Sequence, residues 1–205
     1  MADQQDLLLK VNRYYSDKVR EHGATPAGVD WNSAESQEMR FGQLLKVVPA
    51  DEVSFSILDY GCGFGSMYGY MQQRYHDFEY TGFDISEEMI KNAKQLFPGG
   101  NWETGLPGKK WDYVISSGLF NVKQDTPEKD WAAYILKVLN DINDHSTRGF
   151  SFNALTKYSD AEYMRDYLYY ADPLELFDYC KKNFSKYVAL LHDYPLYEFS
   201  ILVKK

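Results

Sequence analysis

The sequence predicts an α/β fold in which a doubly wound sheet of seven strands, mostly parallel, follows an N-terminal helical segment. From residue 55 onward, short apolar runs suited to strands alternate with segments of helical periodicity, which is typical of a parallel sheet covered on both faces. That alternation begins at residues 56–71, where an apolar run is followed by three glycines in five residues and then by a helical pattern. The chain ends in two strand-like runs separated by the turn-rich residues 193–197, so we expect a hairpin and an antiparallel last strand.

The first 50 residues predict two helices that precede the sheet. Apolar side chains recur at helical spacing over residues 5–22. Asn32 is placed to cap a second helix, which we expect to run to about Val48 because a proline follows. We therefore describe one domain overall, made of a helical cap segment, 1–50, and a ligand-binding part, 51–205.

The remaining elements follow one another without repeats or low-complexity linkers. The predicted strands cover residues 55–58, 78–83, 101–104, 111–116, 149–154, 187–192 and 198–203. The predicted helices of this part cover residues 65–76, 86–97, 127–142 and 173–184. A polar, tyrosine-rich insertion at 155–172 follows the fifth strand. Ligands in such sheets bind beyond the carboxyl ends of the strands where the strand order reverses, so the glycine turn after the first strand should mark the site.

Composition disfavours several classes of function. The chain has 22 Lys and Arg against 30 Asp and Glu, a formal charge of -8, which opposes the electrostatic attraction that nucleic-acid binding requires. No run approaches about 18 apolar residues and the first residues lack the basic start of a secretory signal, so we expect a cytoplasmic protein without a membrane span. Two cysteines, Cys62 and Cys180, without a CxxC or HExxH pattern give no indication of a metal site.

The glycine turn and its flanking acids indicate the kind of ligand. A dinucleotide site requires G-x-G-x-x-G, but Ser66 stands where the third glycine belongs, and the spacing is G-x-G-x-G. Asp59 precedes the turn directly, where it would repel a pyrophosphate and favour a cationic amino group. Asp84, at the end of the second strand, is placed to accept hydrogen bonds from a ribose diol. These features favour a nucleoside that carries a positive tail, and they make a nicotinamide oxidoreductase a distant alternative.

Three segments resemble the motifs of a known family. LDYGCGFG at 58–65, GFDISEEMI at 82–90 and WDYVISSGLFN at 111–121 resemble, in this order and spacing, the motifs of class I S-adenosylmethionine-dependent methyltransferases. The resemblance covers about 55–205, and the N-terminal stretches YYSDKV and GVDWNSAESQEMRF resemble the helical cap of such enzymes. It implies a Rossmann-like fold, S-adenosylmethionine as the cofactor and methyl transfer as the reaction.

The resemblance implies that residues in or just after the ends of the first four strands contact the cofactor. Its methionine part would be held by Gly61, Gly63, Gly65 and, through the amino group, by Asp59. The other contacts would be Asp84 on the ribose, Ile85 on the adenine face, Trp102 and Glu103 on the adenine edge, and Ser117 and Gly118 beside the sulfonium.

Some of these residues also have structural explanations. Asp84 could instead cap the next helix, and Trp102 could anchor its loop. Arg40, in the second helix, could pair with the cofactor carboxylate, because arginine suits bidentate carboxylate recognition, or it could be a solvated arginine on the helix face. Cys62 lies within the turn but is not interpreted as a nucleophile.

The sequence says less about the methyl acceptor. A sulfonium already activates its methyl group, so the protein mainly has to align a nucleophile and exclude water. Trp31, Asn121, Tyr169 and Tyr170 are the candidates for an acceptor pocket, and no general base stands out, His192 included. The segment after the fourth strand lacks the Asp/Asn-Pro-Pro-Tyr/Phe pattern of DNA amino-methylating enzymes, which favours a small-molecule acceptor. The alternative is a non-catalytic S-adenosylmethionine-binding module that regulates or scaffolds a partner; the oligomeric state stays open.

Overall fold

A computed structural model describes residues 4–25, 33–106 and 108–205, and within them seven strands form a single sheet. The strands are β1 (Phe55–Tyr60), β2 (Phe78–Phe83), β3 (Asn101–Glu103), β4 (Trp111–Ser116), β5 (Ser146–Leu155), β6 (Tyr187–Leu191) and β7 (Glu198–Lys204). The helices are α1 (Gln4–His22), α2 (Ala34–Leu44), α3 (Ser66–Gln72), α4 (Glu87–Leu96), α5 (Glu128–His145) and α6 (Pro173–Asn183).

The strand order is β3-β2-β1-β4-β5-β7-β6. β1 pairs in parallel with β2 on one side and with β4 on the other, so the order reverses between β1 and β4. β7 runs antiparallel to both β5 and β6. The predicted fold class, including the antiparallel strand in a C-terminal hairpin, is confirmed.

Helices cover both faces of the sheet. On one face, buried side chains of α5 such as Trp131 and Leu139 belong to the same packed cluster as Val114 of β4 and Phe150 of β5. On the other face, α2, α3 and α4 supply a second cluster that includes Ile115 of β4. Neighbouring residues of β4 thus face opposite layers, as the alternation of side chains along a strand requires.

The two N-terminal helices pack against different parts of the molecule. α1 contacts α4, whereas α2 contacts β5, β7 and α3. α2 is capped by Ser33, whose hydroxyl accepts the N–H of Ser36 at 3.1 Å. The predicted cap at Asn32 is therefore wrong, because extended backbone at Ser33 already places its own oxygen over the first turn; Asn32 itself lies outside the described residues.

The cap segment also ends differently from the prediction. The α-helix stops at Leu44, and a 3₁₀ turn at Leu45–Val47 continues it to the residues before Pro49. No helix in the described parts of the chain has both the length and the apolar character needed to cross a bilayer.

Candidate cofactor site

A cleft with a volume of about 210 Å³ lies at the carboxyl ends of β1, β2 and β4. Its floor is formed by the turn that follows β1, the end of β2 and residues 117–119 after β4. Its walls are completed by side chains of α1 and α2. The cleft therefore lies where the strand order reverses, as the sequence predicted.

The glycine turn after β1, Gly61–Gly65, has a backbone that side chains would disturb. Gly61, Gly63 and Gly65 have φ values of 83°, 54° and 88°, the left-handed region that favours glycine. The N–H groups of Gly61 and Cys62 both donate to the carbonyl oxygen of Phe83, at 2.8 and 3.0 Å. These bonds hold the turn against the end of β2. Gly61 and Gly63 line the cleft together with Cys62 and Phe64, whereas Gly65, which was predicted as a third glycine contact, does not.

Asp84 connects the end of β2 to the glycine turn. Its Oδ2 accepts the N–H of Gly63 at 2.9 Å and its Oδ1 accepts the N–H of Ser86 at 2.8 Å. Ser86, rather than Asp84, is the cap of α4, because its hydroxyl accepts the N–H of Met89. Burial raises the pKa of Asp84, and the two backbone N–H groups oppose that rise. Each carboxylate oxygen keeps a lone pair with which to accept a ligand hydroxyl.

Asp59 is a second carboxyl group in the cleft, with only 3% of its surface exposed. Tyr80 donates its hydroxyl hydrogen to Asp59 Oδ2 at 2.7 Å. Burial raises the pKa of Asp59 to about 7, the negative charge of Asp84 adds to the rise, and the Tyr80 hydrogen bond opposes it. A cationic group beside Asp59 would restore its charge, since an opposite charge favours ionisation.

The segment after β4 is positioned by a buried polar chain. Gly118, with φ of 76°, donates its N–H to Asn153 Oδ1 at 2.7 Å. Asn153 in turn donates to Glu198 Oε2 at 2.7 Å. The hydroxyl oxygen of Ser117 is buried and has no hydrogen-bond partner within the described ranges, which is an observation that a bound ligand would explain.

Arg40 completes this chain and does not line the cleft. Its Nε contacts both carboxylate oxygens of Glu198 at 2.8 Å, and its Nη2 lies 2.7 Å from Oε1. Both side chains are buried. Neither the predicted contact with the cofactor carboxylate nor a solvated helix face describes this geometry, because Glu198 already provides the bidentate partner.

Trp102 lies behind the glycine turn. A Cβ atom at Gly82 or Gly100 would come within 2.5 Å of its indole ring, and one at Gly65 would come closer still. The indole nitrogen donates to the carbonyl oxygen of Phe97 at 2.9 Å. Glu103 is in contact with the site through its backbone, where its carbonyl oxygen accepts the N–H of Asp84 at 3.1 Å. Neither side chain lines the cleft, so we do not retain them as adenine contacts.

Three of the four residues predicted for an acceptor pocket form contacts within the insertion or with it. Asn121 accepts the N–H of Leu155 with Oδ1 and the N–H of Tyr169 with its carbonyl oxygen. Tyr169 packs against the core, and the Tyr170 hydroxyl accepts the N–H of Arg165. None of these three side chains lines the cleft. Trp31 lies outside the described residues, and His192 is exposed near Tyr158.

The sequence did not assign the residues that the N-terminal helices bring to the cleft. They are Val11, Asn12 and Tyr15 of α1 and Gln37 and Phe41 of α2. The i, i+4 spacing of each pair, 11 with 15 and 37 with 41, was the available signal, because it places both members on one helix face. The same spacing occurs on helix faces that pack into the hydrophobic core, so it does not identify residues that line a cleft.

α1 is fastened beside the end of β2 at one end of the cleft. Asn12 donates to the carbonyl oxygen of Ile85 at 3.4 Å, and the hydroxyls of Ser16 and Ser86 lie 2.9 Å apart. Lys10 forms an exposed ion pair with Asp125. These contacts place α1 beside Asp84 and Ile85, which both line the cleft.

The donors and acceptors present fit an S-adenosylmethionine molecule. Two carboxylates line the cleft, two glycines of the turn expose their backbone to it, and the buried hydroxyl of Ser117 lacks a partner among the described residues. Within those residues, no group of three or more His, Cys, Asp or Glu side chains is arranged to hold a metal ion.

Comparisons with known proteins agree with the resemblance. A family model described as a methyltransferase domain matches residues 57–141. A relative from Mycobacterium tuberculosis (strain ATCC 25618 / H37Rv), named "Putative methyltransferase Rv1506c", is 50% identical over an alignment of 155 residues, and the match covers 74% of this chain and 93% of the relative.

Solved structures show the same fold at low identity. Magnesium protoporphyrin IX methyltransferase from Synechocystis PCC 6803 aligns with a TM-score of 0.65 and 17% identity over 97% of each chain. The plantazolicin methyltransferase BpumL aligns with a TM-score of 0.58 and 14% identity over 98% of each chain. The relative that is 50% identical shows the family as well as the fold, and the matched methyltransferase domain agrees with it. The chain belongs to the S-adenosylmethionine-dependent methyltransferase family.

Proposed function

We propose that this methyltransferase transfers the methyl group of S-adenosylmethionine to a small-molecule acceptor. The observation that carries the cofactor assignment is the pairing of Asp59 and Asp84 in one cleft at the switch point of the sheet. Two carboxylates beside bare backbone suit a cationic nucleoside and repel a pyrophosphate.

The chain's own residues would hold the cofactor along the cleft. Asp59 would bind the amino group, and the free lone pairs of Asp84 would accept the ribose hydroxyls. Ile85 would pack on the adenine. Ser117 and Gly118 would lie beside the sulfonium, with Gly118 fixed by its bond to Asn153. The cofactor supplies a methyl group already activated on sulfur, so the protein's part is alignment and exclusion of water.

A small acceptor is supported by the shape and charge of the molecule. α1 and α2 complete the walls of the cleft, which restricts access to it. The formal charge of -8 opposes a polyanionic acceptor. The structural neighbours include enzymes named for a porphyrin and for plantazolicin.

We also propose a cytoplasmic location, which the two free buried cysteines suit.

Calorimetry with S-adenosylhomocysteine tests the cofactor site. Asp84→Ala should weaken binding by about 10-fold to 100-fold, because hydrogen bonds to a charged group contribute about 1.5–3 kcal/mol each. Glu87→Ala, at an exposed position three residues further on, is the matched control and should leave affinity unchanged. Unchanged affinity in a folded Asp84→Ala variant would sink the assignment.

Turnover separates an enzyme from a binding module. The protein is incubated with S-adenosylmethionine and a small-molecule extract, and S-adenosylhomocysteine is measured by mass spectrometry. An enzyme accumulates S-adenosylhomocysteine only when the extract is present, and the Asp84→Ala variant accumulates far less. Retention of the cofactor without turnover in any extract would favour a regulatory or scaffold module.

A further inference from the structure

We infer that Gln37 of α2 binds the carboxylate of the cofactor's methionine part. The inference rests on the proposed function, since it assigns a contact within the same cofactor site. It starts from an amide that lines the cleft and has no hydrogen-bond partner among the described residues.

Gln37 lines the cleft, and only 9% of its surface is exposed. Its backbone N–H bonds to the carbonyl oxygen of Ser33, but its side-chain amide makes no hydrogen bond to any residue in 4–25, 33–106 or 108–205. The amide nitrogen and oxygen are not fully buried, so they are accessible to a ligand acceptor in the cleft.

The charges around the cleft determine which acceptor this is. The charged side chains among the described lining residues are Asp59 and Asp84, both acidic. Arg40, one turn from Gln37 on the same helix, is engaged by Glu198. A carboxylate in this cleft therefore has to be met by neutral donors, and a glutamine amide offers two N–H groups for that purpose.

The position of α2 decides which end of the cleft Gln37 serves. Phe41, one turn further along, packs in one cluster with Cys62 of the glycine turn and Met67 of α3, and its ring lies 5.6 Å from that of Tyr70. α1, in contrast, is fastened beside Ile85, next to Asp84, where the ribose is proposed to bind. Gln37 thus belongs to the glycine-turn end.

The chemistry of an amino acid completes the inference. The amino group and the carboxylate of methionine share one carbon atom, so a ligand whose ammonium binds Asp59 places its carboxylate nearby. Gln37 lines the same cleft from α2, where its neighbour Phe41 packs with the glycine turn. Its neutral amide can therefore donate hydrogen bonds to the carboxylate without changing the charge of a cleft that already contains Asp59 and Asp84.

The test compares two ligands that differ in one group. S-adenosylhomocysteine carries the carboxylate, and 5′-(3-aminopropylthio)adenosine lacks it but keeps the amine, the ribose and the adenine. Gln37→Leu should weaken S-adenosylhomocysteine binding by about tenfold and leave the decarboxylated ligand unchanged, as expected for loss of a hydrogen bond to a charged acceptor. Gln43→Leu is the matched control, since this glutamine of α2 bonds to Lys46 and lies outside the cleft.

A second variant protects the test against a folding defect. Gln37→Glu keeps the shape of the side chain but places a negative charge against the carboxylate, so it should weaken S-adenosylhomocysteine more than Gln37→Leu does and should not weaken the decarboxylated ligand. Equal losses for both ligands, or no loss for either, overturn the inference. A rise in the acceptor's KM at unchanged S-adenosylhomocysteine affinity overturns it too. If the wild-type protein binds neither ligand, the proposed function itself fails.

Discussion

Tyr80 of β2 donates its hydroxyl hydrogen to Asp59 of β1 over 2.7 Å, and both side chains are buried. This bond fixes one carboxyl oxygen of Asp59 beside the glycine turn. It also stabilises the ionised form of a group whose burial favours the neutral form. The affinity of the cleft for a cationic ligand should therefore depend on pH and on this tyrosine.

Cofactor affinity should rise with pH and level off above about pH 7. The pKa of Asp59 is raised to about 7, and only its ionised form attracts an ammonium group. Below the pKa, each pH unit should weaken S-adenosylhomocysteine binding by up to about tenfold. Calorimetry from pH 5.5 to 8.5 measures the curve, and a flat profile would contradict the role of Asp59.

Tyr80→Phe should move the same curve to higher pH. The Tyr80 hydrogen bond lowers the pKa of Asp59. Without this bond, burial and the negative charge of Asp84 should raise that pKa further. At pH 8.5 the variant should approach wild-type affinity, whereas at pH 7 it should bind more weakly. A uniform loss at every pH would mean that Tyr80 acts only through packing.

Asp59→Asn should stabilise the fold at pH 8 while weakening the cofactor site. The carboxyl has an unfolded-state pKa near 3.8 and a folded-state pKa of about 7, so folding favours its protonated form and the stability it provides is lost as pH rises from about 4 to 7. Asparagine stays neutral and still accepts from Tyr80. We expect a gain of a few kcal/mol in the free energy of unfolding at pH 8 and little change near pH 4, measured by urea denaturation.

Breaking the ion pair of Arg40 with Glu198 should be strongly destabilising. Glu198→Leu would leave a buried guanidinium without its carboxylate, at a cost of about 3–5 kcal/mol. The double variant Arg40→Met with Glu198→Leu should recover most of that loss, because buried ion pairs are often replaceable by apolar residues. Chemical denaturation checks both. Additive losses in the double variant would show that the pair is not the cause.

Gly65→Ala should cost the fold at least about 2 kcal/mol. The residue has φ of 88°, and a Cβ atom would enter the indole ring of Trp102. Gly105→Ala is the control, since a Cβ atom at that exposed glycine meets no atom within 4 Å. Thermal unfolding of the two variants should separate them clearly.

Local sequence patterns predicted the sheet and the floor of the site. The glycine turn and Asp84 each come directly after a strand that has a clear apolar run. The alternation of strands and helices therefore already places both at the carboxyl edge of the sheet. The partner of Arg40 could not be predicted in this way, because Glu198 lies 158 residues further along the chain. Gln37 was missed for the same reason, since the buried ion pair fixes which face of α2 meets the cleft.

The packing of Trp102 restricts which residues can occupy three neighbouring glycine positions. Its ring occupies the volume that side chains at Gly65, Gly82 and Gly100 would require. A substitution at any one of these glycines is tolerable only after the ring has become smaller, and a smaller ring leaves a void until a glycine has gained a side chain. We therefore expect positions 82, 100 and 102 to covary among homologues, whereas position 65 should stay glycine in any case because its φ of 88° also disfavours a side chain.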